Sequence, residues 1–383
     1  MINESLLSTM KKWKVGNHIK YCLGADVGGS GIRFILSNYH NENQFIEHEH
    51  IKAKNSNDIY QAVNSLNTTI QKLHSKSQCC GSTFAIAGLR KSKDTVSLLN
   101  WPGPDSNRTI DVRKFPKTIY PEHHSILLND LEACVYGIIY YNNQKKSHEY
   151  FEKLWGPSNS LISKTNTAVL AMGTGLGGAL ITHDSISQRS FAVPTEMGFL
   201  QAIQEGDNYP GIEEERKIIQ YTSNHLYGGK HMPIYENLAS GRGMVITYQY
   251  LLQNQKNSKA IQNNIQNHSI NQKTITALDI TNLAKNGDKI ALEAMKRHYL
   301  FFTRCAKAFA SSLKCESVIM ALSNQVTNRW FVHTIIPEME LEFKNFTKPD
   351  WMKNISVWAQ KKDINFNLLG TSYISKMIAD TNI

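Results

Sequence analysis

The chain has 383 residues, of which 41% are hydrophobic and 19% charged, and its formal net charge is +10. This length suits two domains, and no apolar run is long enough to span a membrane. The lysines and arginines are scattered, so we interpret the charge as a solvated basic surface and expect no nucleic-acid partner. The six cysteines form no CxxC pair, which argues against structural zinc and favours a reducing, cytoplasmic compartment.

The elements predicted along the chain alternate between apolar strands and helices. Residues 1–19 are interpreted as an amphipathic or flexible leader that precedes the fold, and residues 253–275, rich in Asn, Gln and Lys, as a surface insertion. The strand-like segments are residues 21–37, 82–88, 124–130, 167–182 and 317–322, and the main helices are residues 131–141, 290–313 and the last fourteen or so. A strand–glycine turn–strand unit occurs once in each half, which predicts a duplicated architecture.

The first glycine turn, Gly28-Gly29-Ser30-Gly31, directly follows a predicted strand that contains Asp26. Glycines let a backbone approach a phosphate closely and expose its N–H groups as donors. The Asp26 carboxylate is suited to hold Mg²⁺ through water, because magnesium prefers oxygen ligands and keeps several waters. The Ser30 hydroxyl is suited to contact a phosphate oxygen. A plain hairpin turn is the alternative that this motif alone leaves open.

The second turn, Gly173-Thr174-Gly175-Leu176-Gly177-Gly178, lies in the other half of the chain. It contains the GxGxxG pattern of dinucleotide-binding folds, and Glu196 follows near the spacing of a ribose-binding acid. That fold requires a helix directly after the glycines, whereas the residues here predict a returning strand. Two glycine hairpins indicate a nucleotide gripped by backbone donors from both halves. An NAD-linked oxidoreductase is the alternative.

Three further carboxylates are candidate site residues. Asn129-Asp130 ends the apolar segment HSILLND, and open α/β sheets bind ligands at such carboxyl ends of strands. Asp130 is a candidate base that accepts the proton of a sugar hydroxyl, with a helix cap as the alternative. Glu196 in PTEMGF and Glu236 in YENLASGRG are candidates for binding sugar hydroxyls. Each glutamate taken alone also fits an ordinary surface residue.

Six motifs occur along the chain in the order DVGGSGIR, FAIAG, LLND, GTGLGG, PTEMG and ENLASGRG. Together they resemble the group A, bacterial-type glucokinase family of the actin–hexokinase–Hsp70 ATPase superfamily. The resemblance extends from about Tyr21 to Lys376, and NFNLLGTS resembles the family's entry to its final helix. It implies an α/β, two-lobed actin-like ATPase fold (ribonuclease H-like) with a central cleft. It also implies transfer of the γ-phosphoryl group of MgATP to the 6-hydroxyl of glucose or a related hexose.

The resemblance also implies roles for residues at matched positions. The first phosphate loop is formed by Asp26, Gly28, Gly29 and Ser30, and the second by Gly173, Thr174, Gly175 and Gly177. The sugar contacts are made by Asn129, by the catalytic base Asp130, and by Glu196 and Glu236. Replacing either glutamate with Gln is expected to raise the hexose KM more than the ATP KM. The expected partner is a small-molecule hexose, no membrane is involved, and a homodimer is left open.

Three positions depart from the family pattern. Phe199 stands where the family has the His of Glu-x-Gly-His, which predicts weaker or altered sugar choice. Leu322-Ser323 stands where the family has an adenosine-side glycine pair, which predicts a higher ATP KM, and Gly31 replaces a polar residue of a GGTN-like turn. A sugar- or nucleotide-sensing pseudokinase of the same fold is therefore the alternative function. The zinc-binding cysteine cluster of the related repressor–kinase group is absent from the sequence.

The predicted domain organisation follows from these positions. Residues 20–129 together with 366–383 are expected to form a small α/β lobe. Residues 130–365 are expected to form a large α/β lobe that carries the polar insertion.

Overall fold

The structure is a computed structural model that describes residues 4–16, 18–73, 77–98, 101–257 and 275–381. The chain divides into two compact units, each with its own sheet. The first unit contains the described residues up to Ser147 and those from Asn365 onward, and the second unit is His148–Ile364. This division differs from the predicted one after residue 129, because the helix that follows Asn129 packs within the first unit.

The elements before Ser147 are, in chain order, α1 (Glu4–Lys11), β1 (Ile19–Gly28), β2 (Gly31–Asn38), β3 (Asn41–Glu47), β4 (Ile51–Lys52), α2 (Ser56–Leu73), β5 (Ser77–Ile86), β6 (Leu89–Arg90), β7 (Thr95–Ser97), α3 (Asp105–Arg108), β8 (Thr109–Asp111), β9 (Ser125–Asn129) and α4 (Asp130–Asn143). The elements from Ser147 onward are α5 (Ser147–Tyr150), β10 (Phe151–Trp155), β11 (Asn166–Met172), β12 (Leu176–Asp184), β13 (Arg189–Thr195), α6 (Ile212–Tyr227), α7 (Glu236–Ala239), α8 (Gly241–Asn257), α9 (Ala277–Lys285), α10 (Lys289–Ser312), β14 (Cys315–Ala321), α11 (Ser323–Thr327), α12 (Arg329–Thr334), α13 (Ile336–Lys344), α14 (Pro349–Met352), β15 (Ser356–Gln360) and α15 (Phe366–Asp380). Short 3₁₀ turns cover Val112–Lys114 and Met197–Phe199.

The first unit is built on a sheet with strand order β3-β2-β1-β5-β9, and β4 pairs with β2. β1, β2 and β3 are antiparallel, whereas β5 and β9 run parallel to β1. Parallel strands need a crossover, and α2 lies in the connection that leads to β5. β1 and β5 are buried along most of their length, as expected for strands in the middle of a sheet that is covered on both faces.

The final helix α15 belongs to the first unit because it packs against α4 and across β1 and β5. Gly137 of α4 and Gly370 of α15 make the contact between the two helices close. A Cβ on Gly137 would overlap the carbonyl oxygen of Phe366, and one on Gly370 would overlap that of Ala133. Larger residues at these two positions would therefore push α4 and α15 apart.

The second unit repeats this sheet pattern. Its strand order is β10-β15-β14-β11-β12-β13, in which β11, β12 and β13 are antiparallel and β14 and β15 run parallel to β11. β10 adds an antiparallel strand beside β15. The duplication predicted from the two glycine hairpins is thus present in the sheet topology of both units.

Two predicted segments differ from expectation. The described part of the leader, residues 4–16 and 18–19, is part of the first unit, since Leu6 and Met10 of α1 are 1% exposed and Trp13 is 3% exposed in its core. The insertion, residues 253–275, begins inside α8, and residues 258–274 lie outside the described residues. Within the described ranges, no helix has both the length and the apolar character needed to cross a membrane.

Candidate functional site

The first glycine turn joins β1 to β2 through Gly29 and Ser30. Trp101 Nε1 donates a hydrogen bond to the Gly29 carbonyl (2.8 Å), and the Ala53 amide donates to the Ser30 carbonyl (3.2 Å). A trans peptide holds its N–H opposite its C=O, so the Ser30 N–H faces away from Trp101. A Cβ on Gly28 or Gly29 would meet no atom within 4 Å, so the turn borders open space. Turns with accessible backbone N–H groups are suited to bind anions, so the predicted role of this turn stays a prediction.

Asp26 lies on β1 two residues before the end of the strand. Its carboxylate accepts hydrogen bonds from Asn365 Nδ2 (3.1 Å) and Asn367 Nδ2 (3.5 Å). Asn365 also caps α15, because its Oδ1 accepts the Leu368 amide (3.0 Å). Sequence reasoning missed the asparagines, although NFN in NFNLLGTS marks the start of this helix.

The surroundings of Asp26 fit Mg²⁺. Arg33 is the cross-strand neighbour of Asp26, but within the described part of the chain no Lys or Arg comes close enough to form an ion pair with the Asp26 carboxylate. The described residues contain no group of three or more His, Cys, Asp or Glu side chains that could hold a metal ion. A carboxylate that accepts hydrogen bonds from two neutral amides suits Mg²⁺, which is commonly held by one or two carboxylates together with water and substrate phosphates.

Asn129 and Asp130 lie at the junction of β9 and α4. Asn129 Oδ1 accepts the Leu131 amide (2.9 Å), and the Glu132 carboxylate accepts the Asn129 amide (3.4 Å), which completes a capping box. The alternative interpretation as a helix cap is therefore correct for Asn129. Asp130 is the first helical residue, and its Oδ1 also accepts the Leu131 amide (2.9 Å).

The strand register brings Asp26, Asp130 and the first turn to one edge of the sheet. Val27 pairs with Ile86 and Ile86 pairs with Asn129, so two strand spacings, roughly 10 Å, separate Val27 from Asn129. The buried thiol of Cys134 lies near the carboxylates of both Asp26 and Asp130. Burial raises the pKa of Cys134, and the negative charges of Asp130 and Asp26 raise this pKa further.

The second glycine turn joins β11 to β12 through Gly173, Thr174 and Gly175. The Gly173 amide donates to the Gly175 carbonyl (2.8 Å), and the Gly173 carbonyl accepts the Gly241 amide (3.0 Å). The predicted returning strand is confirmed, because β12 continues to Asp184. The dinucleotide-fold alternative is wrong, since the last glycine of GxGxxG lies inside β12 and no helix follows the turn.

Glu236, the first residue of α7, contacts this second turn. Its Oε2 accepts the Leu176 amide (3.1 Å), and its Oε1 accepts a hydrogen bond from Arg242 (2.8 Å). A Cβ on Gly175 would lie 2.6 Å from Glu236 Oε2, so glycine at this position lets the carboxylate approach. Arg242 Nε also donates to the Thr174 carbonyl (3.2 Å). Sequence reasoning missed Arg242, although SGRG directly follows the ENLA that contains Glu236.

Glu196 is exposed and precedes the 3₁₀ turn Met197–Phe199. The Met197 side chain lies where a Cβ on Gly178 would be, and Gly198 lies against the Leu176 carbonyl oxygen. This 3₁₀ turn is therefore held on β12 just beyond the second glycine turn. Phe199, at the family's His position, is 58% exposed.

Two backbone hydrogen bonds connect the segments that bear the two glutamates. The Tyr235 amide donates to the Leu200 carbonyl (2.9 Å), and the Ala202 amide donates to the Pro233 carbonyl (3.0 Å). The segment after the 3₁₀ turn is thereby held against the segment that enters α7. Glu196 and Glu236 consequently lie on elements that share backbone hydrogen bonds.

Leu322 has an unusual backbone conformation at the same edge of the second sheet. Ala321 of β14 pairs with Ala171 of β11. Leu322 directly follows β14 and therefore lies one strand away from the second turn. Its φ is 77° and its ψ is 169°, a region that is essentially restricted to glycine. Its amide donates to Gln360 Oε1 (2.8 Å). The family's glycine pair at this position is thus matched by a glycine-like backbone that carries a leucine.

Each unit has three antiparallel strands followed by parallel ones, and a glycine hairpin projects from its central strand. This arrangement defines the class as an α/β protein with the actin-like ATPase fold of sugar kinases, so the predicted fold class is confirmed.

Comparisons with known proteins identify the family. The glucokinase family model matches residues 23–320. Glucokinase 1 of Trichomonas vaginalis is 38% identical over 383 residues, which cover 99% of each chain. The crystal structure of glucokinase from Balamuthia mandrillaris in complex with glucose is 27% identical, with a TM-score of 0.85, and the match covers 98% of this chain and 100% of that one.

A more distant structure shares the fold alone. The ROK family glucokinase from Streptomyces griseus in complex with glucose and AMPPNP is 16% identical, with a TM-score of 0.58, and the match covers 92% of this chain and 98% of that one. The chain belongs to the glucokinase family and is a sugar kinase, as its motifs predicted.

Proposed function

We propose that this sugar kinase is an ATP-dependent glucokinase of the group A, bacterial-type branch of the actin–hexokinase–Hsp70 superfamily. It transfers the γ-phosphoryl group of MgATP to the 6-hydroxyl of glucose or a related hexose. The relatives described in complex with glucose, one of them also with the ATP analogue AMPPNP, support these substrates. The observation that carries the proposal is the position of Asp130, at the end of β9 and on the same sheet edge as the first glycine turn.

Asp130 is proposed as the general base. Its carboxylate accepts the proton of the sugar hydroxyl while that oxygen forms a bond to the γ-phosphorus and the bond to the leaving ADP oxygen breaks. A position at the helix N-terminus favours the ionised carboxylate that this step requires. Asn129, Glu196 and Glu236 are proposed to orient the hexose by hydrogen bonds to its other hydroxyls.

The two glycine turns are proposed to hold the triphosphate. The backbone groups assigned to this role belong to Gly28, Gly29, Ser30, Gly173, Thr174, Gly175 and Gly177. Asp26, held by its two asparagines, is proposed to bind Mg²⁺ through water. Bound Mg²⁺ supplies neutralisation of the phosphate charge. The free thiols of all six cysteines support a cytoplasmic location.

A coupled ADP-release assay with glucose, mannose, fructose and N-acetylglucosamine tests the proposal. Wild type should turn over at least one of these hexoses, and Asp130→Asn should lower kcat by at least about 100-fold while glucose binding is retained. Asp105→Asn, which alters an exposed carboxylate in the first turn of α3, is the matched control and should keep normal turnover. Near-normal turnover by Asp130→Asn would remove Asp130 from its assigned role.

One alternative has structural support. The exposed Phe199 lacks the hydrogen-bonding ring of His, and Leu322 places a side chain at a glycine-like position. Both features favour a sensor that binds hexose or nucleotide with little turnover. Hexose-dependent thermal stabilisation without ADP release from any sugar in the panel would support the sensor over the kinase.

A further inference from the structure

Arg242 makes two different contacts with one guanidinium group. Its Nε donates to the Thr174 carbonyl (3.2 Å), and its terminal nitrogen donates to Glu236 Oε1 (2.8 Å). The first partner belongs to the second glycine turn, and the second is a proposed sugar ligand. We propose that Arg242 is a positioning residue that couples hexose binding at Glu236 to nucleotide binding at the second turn. This inference rests on the proposed function.

The hydrogen bonds around Glu236 explain how the coupling works. Glu236 Oε2 is committed to the Leu176 amide and Oε1 to Arg242. A hexose hydroxyl that donates to this carboxylate must enter the same set of hydrogen bonds. Any shift of Glu236 therefore moves the guanidinium that holds the Thr174 carbonyl. The next backbone contact is also close, since Gly241, the neighbour of Arg242, donates to the Gly173 carbonyl (3.0 Å).

The exposure of the pair indicates positioning rather than stability. The Arg242 side chain is 62% exposed, and an ion pair this accessible to water contributes little to the free energy of unfolding. The rigid fork of arginine fixes the geometry of its two acceptors relative to each other. Lysine has a single ammonium group on a flexible stem, so it can keep the charge but not both contacts in one geometry.

The decisive measurement is the dissociation constant of glucose with and without saturating ADP, obtained by calorimetric titration. In wild type, ADP should change the glucose constant by at least about 5-fold, the range typical of coupled sites. In Arg242→Ala this ratio should fall to within about 2-fold of unity, and the KM values for glucose and ATP should both rise by about 5- to 10-fold. The urea midpoint of unfolding should stay at the wild-type value.

Two further variants separate coupling from general damage. Arg242→Lys should unfold like wild type yet lose most of the coupling, and full coupling in this variant would overturn the proposal. Arg329→Ala removes a matched arginine–glutamate pair with Glu152 on β10, at the opposite edge of the sheet from β13. This control should keep the wild-type coupling ratio. An equal loss in Arg329→Ala would show that the effect is unspecific and would overturn the role of Arg242.

The outcomes also separate this inference from the proposed function. Phosphoryl transfer by a wild type that shows no coupling between ADP and glucose would overturn the inference alone. Coupled binding that depends on Arg242, without phosphoryl transfer to any hexose, would overturn the proposed function and support the inference. A wild type that binds neither glucose nor ADP would overturn both.

Discussion

We predict that glycine makes the protein more stable than alanine does at position 322, which is the reverse of the usual order. With φ at 77° and ψ at 169°, this residue occupies a region in which a Cβ is strained by about 1–3 kcal/mol. We compare Leu322→Gly with Leu322→Ala, because both variants remove the leucine side chain beyond Cβ and only glycine relieves the strain. Glycine also costs about 0.5–1 kcal/mol through the larger entropy of its unfolded chain. The net expectation is that Leu322→Gly is more stable than Leu322→Ala by up to roughly 2.5 kcal/mol.

Urea unfolding followed by tryptophan fluorescence measures this difference. Ser323 is the matched control, because it is the first residue of α11 and lies outside the strained region. There the order should reverse, with Ser323→Ala more stable than Ser323→Gly by about 0.5–1 kcal/mol. If alanine exceeds glycine at position 322 by the same amount as at position 323, the backbone of Leu322 is not strained in solution. The same Leu322→Gly variant should lower the ATP KM, since it restores the family's residue near the second turn.

Two other predictions concern single buried groups. Trp101→Phe removes the donor to the Gly29 carbonyl, so the ATP KM should rise about 5-fold in steady-state kinetics, while the glucose KM stays within about 2-fold of wild type. A change in the glucose KM alone would contradict the proposal that the first glycine turn binds phosphate. Burial lowers the pKa of His298 from 6.5 to about 4. Because the unfolded chain protonates this imidazole below pH 6.5 and the folded chain only near pH 4, the free energy of unfolding should fall as pH drops through this window, by up to about 3 kcal/mol. Denaturation at several pH values should show this slope in wild type but not in His298→Gln.

The local parts of the site could be predicted from the sequence. A strand that ends in glycines and is followed by another apolar run predicts a hairpin whatever the rest of the chain does. Both glycine turns, and the strand end at Asn129, follow from such local patterns. The role of Asn129 as a cap was likewise available from residue type alone.

The contacts that hold these local parts in place could not be predicted. Trp101 lies 72 positions from Gly29, and Asn365 lies 339 positions from Asp26. Such pairs depend on how α15 and the loop after β7 pack, and nothing in the periodicity of a single sequence encodes them. The division of the chain after Ser147 rather than after residue 129 could not be predicted for the same reason, since the packing of α4 on α15 through two glycines is a long-range contact.

The two glycine turns are held by different hydrogen-bond donors, and this difference has a physical consequence. The carbonyl of the first turn is bound by an indole that is 3% exposed, so water cannot easily replace the donor. The carbonyl of the second turn is bound by an arginine that is 62% exposed, where water competes for each hydrogen bond. A carbonyl with a buried donor keeps its position, whereas one with an exposed, charged donor can move together with that donor at little cost. The second turn is therefore the one suited to respond to a bound sugar, and the first is suited to hold a phosphate in a fixed position.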